Sequence, residues 1–182
     1  HVYPAEALAT ELKKRGYRLA LVTDSRGLNN YHGTLSEIPN FAVLSGALVG
    51  KNIFFKIKSL IKLGLGVLQA LWIIIKEKPV CVVGFGGYAS FPCAIAAIIL
   101  GKKLVIHEQN SVMSRTNRFL SKYATLIAKS FQSTKYAPSN VPSVLTGMPV
   151  RESIVALHTN KYQDLPENKF QILILGGSQG AK

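Results

Sequence analysis

The chain has 182 residues, 48% of them hydrophobic and 17% charged, which excludes a disordered or fibrous class and is long enough for one full core plus a remnant. Lysine and arginine outnumber aspartate and glutamate by 22 to 9, a formal net charge of +13 that favours anionic partners. With no arginine-rich tract, zinc-ligand spacing or aromatic RNP-like strand, the charge is read as facing phosphorylated ligands or anionic lipid, and no nucleic acid. Cys81 and Cys93 stand singly in apolar segments, the pattern of buried thiols in a reducing compartment; no disulfide framework, metal site or cofactor is expected.

Residues 5–15 place Ala5, Leu8, Ala9 and Leu12 at helical spacing and stop at Gly16, a C-terminal cap. Residues 18–23 (RLALVT) then read as a buried strand. The alternation recurs: strands at 41–44, 80–83, 103–107, 125–129 and 143–146, helices at 51–76, 92–100, 114–123 and 152–158. Near-continuous apolar strands separated by helices predict an α/β fold, a Rossmann-like parallel sheet covered on both faces. Residues 159–169 are polar with Pro166 inside, and residues 170–175 open a new apolar strand that runs into glycines. The expected organisation is one domain over 1–151, a linker over 152–169, and the first strand and turn of a second domain over 170–182.

The helix at 51–76 admits two readings. Its uncharged stretch, residues 63–75, is shorter than the ~20 residues a membrane span needs. Lys51, Lys58, Lys62, Gln69 and Lys76 fall along one helical stripe, and Phe54, Ile57, Ile61, Leu65, Leu68, Trp72 and Ile75 along another. Either the apolar stripe is core and the lysines are solvated, or Lys58, Lys62, Leu65, Leu68 and Trp72 form a patch that rests on anionic lipid. Gly64 and Gly66 predict a weakened helix with a break between its halves.

Three strands run straight into small or polar residues: 80–92 (VCVVGFGGYASFP), 104–111 (LVIHEQNS) and 172–181 (ILILGGSQGA). In open parallel sheets ligands bind at such carboxyl ends, where glycines admit backbone N–H groups to an anion and a helix N-terminus adds positive charge. Neither glycine group matches a nucleotide-cofactor motif. Ala89 stands where the dinucleotide fingerprint needs its third glycine, and Ala181 precedes Lys182 where a P-loop needs Gly-Lys. Of the four polar residues closing the second strand, Glu108 is chemically able to act as a base, and His107 is read as structural. Arg151, after Pro149 and Val150, has the guanidinium geometry to hold a phosphate or carboxylate.

In order and spacing, Gly86-Gly87-Tyr88-Ala89-Ser90-Phe91-Pro92, His107-Glu108-Gln109-Asn110, Gly147-Met148-Pro149-Val150-Arg151 and Gly176-Gly177-Ser178-Gln179-Gly180-Ala181 resemble the MurG family. His1-Val2-Tyr3-Pro4-Ala5 looks like the end of that family's Gly-Gly-Thr-Gly-Gly-His-x-x-Pro loop, so the chain reads as part of a longer protein and is expected to be inactive alone. The resemblance implies a two-domain GT-B glycosyltransferase that transfers N-acetylglucosamine, with inversion, from UDP-N-acetylglucosamine to lipid I, a polyprenyl diphosphate acceptor. It implies a peripheral enzyme on the cytoplasmic face of the bacterial inner membrane. By the same resemblance, His1 and Glu108 are catalytic candidates, and Asn110, Arg151 and Ser178 bind UDP-N-acetylglucosamine. Gly86, Gly87, Tyr88 and Ser90 form the acceptor diphosphate loop. Phe91 and Ser114 depart from family glycines and Met148 from an asparagine; Phe91 is expected to narrow the acceptor loop. Two other readings account for part of the pattern: another nucleotide-sugar transferase of this architecture acting on a glycolipid, and a non-enzymatic basic domain that binds anions or membranes.

Overall fold

The computed structural model describes residues 2–25, 33–46, 53–159, 170 and 172. Helix α1 (Val2–Lys14) ends at Gly16, whose φ of +80° makes the left-handed cap expected there. Strands β1 (Leu21–Thr23) and β2 (Asn40–Ala42) follow, then α2 (Ile53–Glu77), β3 (Cys81–Gly84), α3 (Gly87–Ile99), β4 (Lys103–Glu108), α4 (Arg115–Leu120), β5 (Leu126–Lys129), β6 (Ser143–Leu145) and the short α5 (Glu152–Val155). All pairings among the described residues are parallel. β1 pairs with β2, and β3-β4-β5-β6 form a second sheet, with Val83 opposite Val105 and Ile106 opposite Ile127. The connections through α3 and α4 step the same way along the four-stranded sheet, and α2 packs against α3 as α3 packs against α4.

Between the two sheets lies a cavity of about 680 Å³, lined by Leu21 and Val22 of β1, Cys81 and Val83 of β3, and Leu8 and Leu12 of α1. It separates the edges of β1 and β3 that carry no ladder partner among the described residues. On the helical side the core joins Ala70, Ile73 and Ile74 of α2 to Cys93, Ala96 and Ala97 of α3. A second cluster sets Ala94 on Leu104, Ile106 and Leu120. Burial pushes the Cys93 thiol up to about 11, in keeping with an inert core cysteine.

Two expectations are corrected here. α2 runs unbroken through both glycines. Gly66 is buried because a Cβ there would stand 1.9 Å from the Leu44 carbonyl oxygen, so it is a close-approach glycine and not a breaker. α3 starts at Gly87, five residues before Pro92. Gly86 and Gly87, with φ of +91° and +75°, turn the chain directly from β3 into the helix, and Pro92 forgoes only one bond, to the carbonyl four residues back.

Past β6 the expected linker begins as helix. α5 and the single turn Ala156–Thr159 are exposed, and a Lys14–Glu152 ion pair ties them to α1. The rest of that linker and the second-domain strand lie outside the described residues, apart from exposed Phe170 and Ile172.

Candidate active site at the carboxyl rim of the sheet

β4 carries the densest polar arrangement. Leu104 and Ile106 anchor the strand in the core, and His107 and Glu108 at its end are 4% and 1% exposed. The Glu108 carboxylate accepts four hydrogen bonds. Oε1 takes the Asn110 backbone N–H at 2.9 Å and Asn110 Nδ2 at 3.0 Å; Oε2 takes the Ser114 N–H at 3.1 Å and Asn117 Nδ2 at 2.9 Å. Bonds to an ionised acceptor are the strong kind, and here they use both oxygens. In this arrangement the buried carboxylate organises the 108–117 loop.

Sequence reasoning missed Asn117, which is 2% exposed and also donates to the His107 carbonyl at 3.4 Å. It likewise missed the cap at Ser114, whose hydroxyl accepts the Asn117 N–H at 3.2 Å to start α4. The Ser-x-x-Asn spacing before an apolar turn was the available signal. His107 is a buried ring 5.5 Å from Phe85, its Nε2 3.3 Å from the Gly147 carbonyl oxygen. Burial lowers its pKa below the ordinary 6.5, which keeps it neutral at neutral pH.

At the end of β3, the N-cap of α3 is Gly86, which gives the first-turn N–H groups no side-chain cap. The helix is thirteen residues long and adds partial positive charge there. Ser90 donates to the Gly87 carbonyl at 3.1 Å, and Tyr88 is 41% exposed. Phe91 lies within α3, as Tyr88 and Ser90 do, and its ring stacks on Phe119 of α4 at 5.8 Å. At the end of β6, Arg151 sits with its guanidinium 4.3 Å over the Tyr3 ring at the start of α1.

Phe85, Gly86, Ser90, His107, Thr146 and Pro149 line the upper end of the inter-sheet cavity, so the exits of β3, β4 and β6 meet at one rim. Tyr88, Asn110 and Arg151 stand on those same exits without lining the cavity. His1 and Ser178 lie outside the described residues. Among the described residues no group of three His, Cys, Asp or Glu side chains is placed to hold a metal ion.

The predicted patch on α2 faces outward. Its buried stripe is Ser59, Leu63, Gly66, Ala70, Ile73 and Ile74, whereas Phe54, Leu68 and Trp72 are 77%, 62% and 60% exposed. Leu65, Lys58 and Lys62 are exposed as well, and the Lys76 ammonium lies 5.0 Å over the Trp72 ring. The segment Lys56–Glu77 is long and apolar enough to cross a membrane, but a third of its most apolar stretch is buried inside the domain. Residues 53–151 carry thirteen lysines and arginines against two acids, Glu77 and the buried Glu108. The positive excess therefore belongs to the body of this domain.

Residues 1–129 match the glycosyltransferase family 28 N-terminal domain. The whole chain is 44% identical to a protein of Paramagnetospirillum magneticum named UDP-N-acetylglucosamine–N-acetylmuramyl-(pentapeptide) pyrophosphoryl-undecaprenol N-acetylglucosamine transferase, and covers 50% of it. The same name and the same 44% identity hold for a protein of Rhodospirillum rubrum, of which 47% is covered. The crystal structure of Acinetobacter baumannii MurG is similar at a TM-score of 0.66 and 28% identity, over 88% of this chain and 46% of that one. The chain spans about half the length of the curated relatives it matches. It belongs to glycosyltransferase family 28, as the parallel-sheet α/β domain that forms the family's N-terminal half.

Proposed function

We propose that this chain is the acceptor-side half of an inverting glycosyltransferase of peptidoglycan synthesis. The complete enzyme moves N-acetylglucosamine from UDP-N-acetylglucosamine to the 4-hydroxyl of the muramyl sugar of lipid I, giving lipid II. The observation that carries this reading is the convergence of three glycine-bearing or polar strand exits at one rim of a strongly basic domain.

In this reading the acceptor diphosphate lies against the Gly86–Gly87 turn and the open N–H groups of α3, beside Tyr88 and Ser90. Glu108 fixes Asn110 from beneath, and Asn110 and Arg151 face the donor together with Ser178 of the second domain. The acceptor hydroxyl attacks the anomeric carbon from the side opposite UDP. Its proton passes to a base while the bond to the diphosphate oxygen breaks, and cations and N–H groups already in place take up the charge that develops there. The base candidates are His1 and Glu108. The outer face of α2 rests on anionic lipid at the cytoplasmic face of the inner membrane, where a polyprenyl-linked acceptor resides.

The test is UDP release by the complete protein with and without a lipid I analogue. Release that depends on the acceptor supports the reading. Equal release in its absence, or transfer only to an unrelated glycolipid, overturns it.

A further inference from the structure

The carbonyl of Gly147 gathers hydrogen bonds from three strand ends. Nε2 of His107, in β4, stands 3.3 Å from it; the Ser130 hydroxyl, one residue past β5, donates at 3.3 Å; the Thr146 hydroxyl, one residue past β6, donates at 3.1 Å. β4 and β6 are not neighbours in the sheet, so His107 reaches over the end of β5 to meet the chain leaving β6. Each donor is itself held. The Ser130 N–H bonds to the Glu108 carbonyl at 3.0 Å, and the Thr146 N–H to the Lys129 carbonyl at 3.0 Å. Nδ1 of His107 faces Gln109 Nε2 at 3.5 Å, and that same amide donates to the Phe85 carbonyl at 3.0 Å. A donor opposite Nδ1 assigns the ring proton to Nε2, where it points at Gly147.

Gly147 has φ of +71° with nothing within 4 Å of where a Cβ would stand. The turn thus needs glycine for its backbone and not for space. Its carbonyl is the last anchored group before Met148, Val150 and Arg151, which are all exposed, and Arg151 then meets Tyr3 of α1.

We propose that His107 and Ser130 are positioning residues: by clamping the Gly147 carbonyl they hold residues 147–151 in the one course that sets the Arg151 guanidinium at the rim. This rests on the reading of Arg151 as a donor contact. The clamp links Glu108, which orders the 108–117 loop, to the arginine on the far side of the site, so the two walls of the cleft share one brace.

The experiment uses the complete protein with His107→Phe and Ser130→Ala, which remove a donor while keeping the bulk, and with His107→Gln and Ser130→Thr, which retain one. The first pair is expected to raise KM for UDP-N-acetylglucosamine about fivefold, with kcat and the acceptor KM within about twofold of the parent. The second pair is expected to behave like the parent. Backbone order parameters of Met148, Val150 and Arg151 are expected to fall from about 0.85 to below about 0.6 in Ser130→Ala. An unchanged donor KM, an equal loss in both KM values and kcat, or order parameters that stay at the rigid value would overturn the clamp. If the parent transfers no sugar, the proposed function fails, and the order parameters alone still decide whether the clamp holds the segment.

Discussion

The tip of β4 and the outer face of α2 break the same rule in opposite directions. Charged and amide side chains are mostly exposed in folded proteins and large apolar ones mostly buried; at β4 the polar groups are inside, and on α2 the apolar ones are outside. The β4 tip is a closed network in which Glu108 satisfies four donors from Asn110, Ser114 and Asn117, so it is bound up with folding itself. The outer face of α2 lies outside the core cluster, which takes Ala70, Ile73 and Ile74 of the buried stripe with Leu71 packed beside them. A site built the first way cannot be altered without disturbing the domain. A surface built the second way can be erased with the fold left intact.

Substitutions can break or sharpen this contrast. Glu108→Ala has the largest expected effect: it removes the acceptor of four donors, of which the Asn117 amide is buried and would cost about 1–3 kcal/mol left unsatisfied. The domain should lose about 3 kcal/mol in denaturant unfolding; a loss under about 1 kcal/mol would mean the network is not structural. Next comes the inner face of α2. Gly66→Ala should cost about 1–3 kcal/mol, because its Cβ meets the Leu44 backbone and the helix–loop contact must part. Gly64→Ala, two residues away in open space, should gain about 0.5–1 kcal/mol from helix propensity. Equal effects at the two glycines would contradict the inward and outward assignment of the helix. Smallest of all, combined Phe54→Ser, Leu68→Ser and Trp72→Ser replacements should change stability by no more than about 0.5 kcal/mol per site.

Strand and helix positions were legible because the period of each apolar pattern matched its element, and the two stripes of α2 were legible as stripes. That neither of them faces inward was not. Trp72 and Leu68 look more like core than Ser59 and Gly66 do, and only packing against α3 and the Leu44 carbonyl decides otherwise. The end of β4 was legible as a site because four polar residues close an apolar strand. The role of Glu108 was not, since its partners Ser114 and Asn117 lie six and nine residues on, and only the turn after Asn110 brings them back. Phe91 read as part of a ligand loop because helix α3 was expected to begin at the proline after it; the positive-φ glycines start the helix earlier and turn the ring toward Phe119.

The central claim is that the polar rim performs transfer and the apolar face delivers it to lipid. The most direct measurement compares UDP release by the complete protein and its Phe54, Leu68 and Trp72 triple serine variant on two acceptors: a lipid-linked one in anionic vesicles, and the same head group on a short soluble chain. The account predicts that the variant loses at least about tenfold on vesicles and keeps the parent rate on the soluble acceptor. Equal loss on both acceptors, or full activity on vesicles, would contradict it.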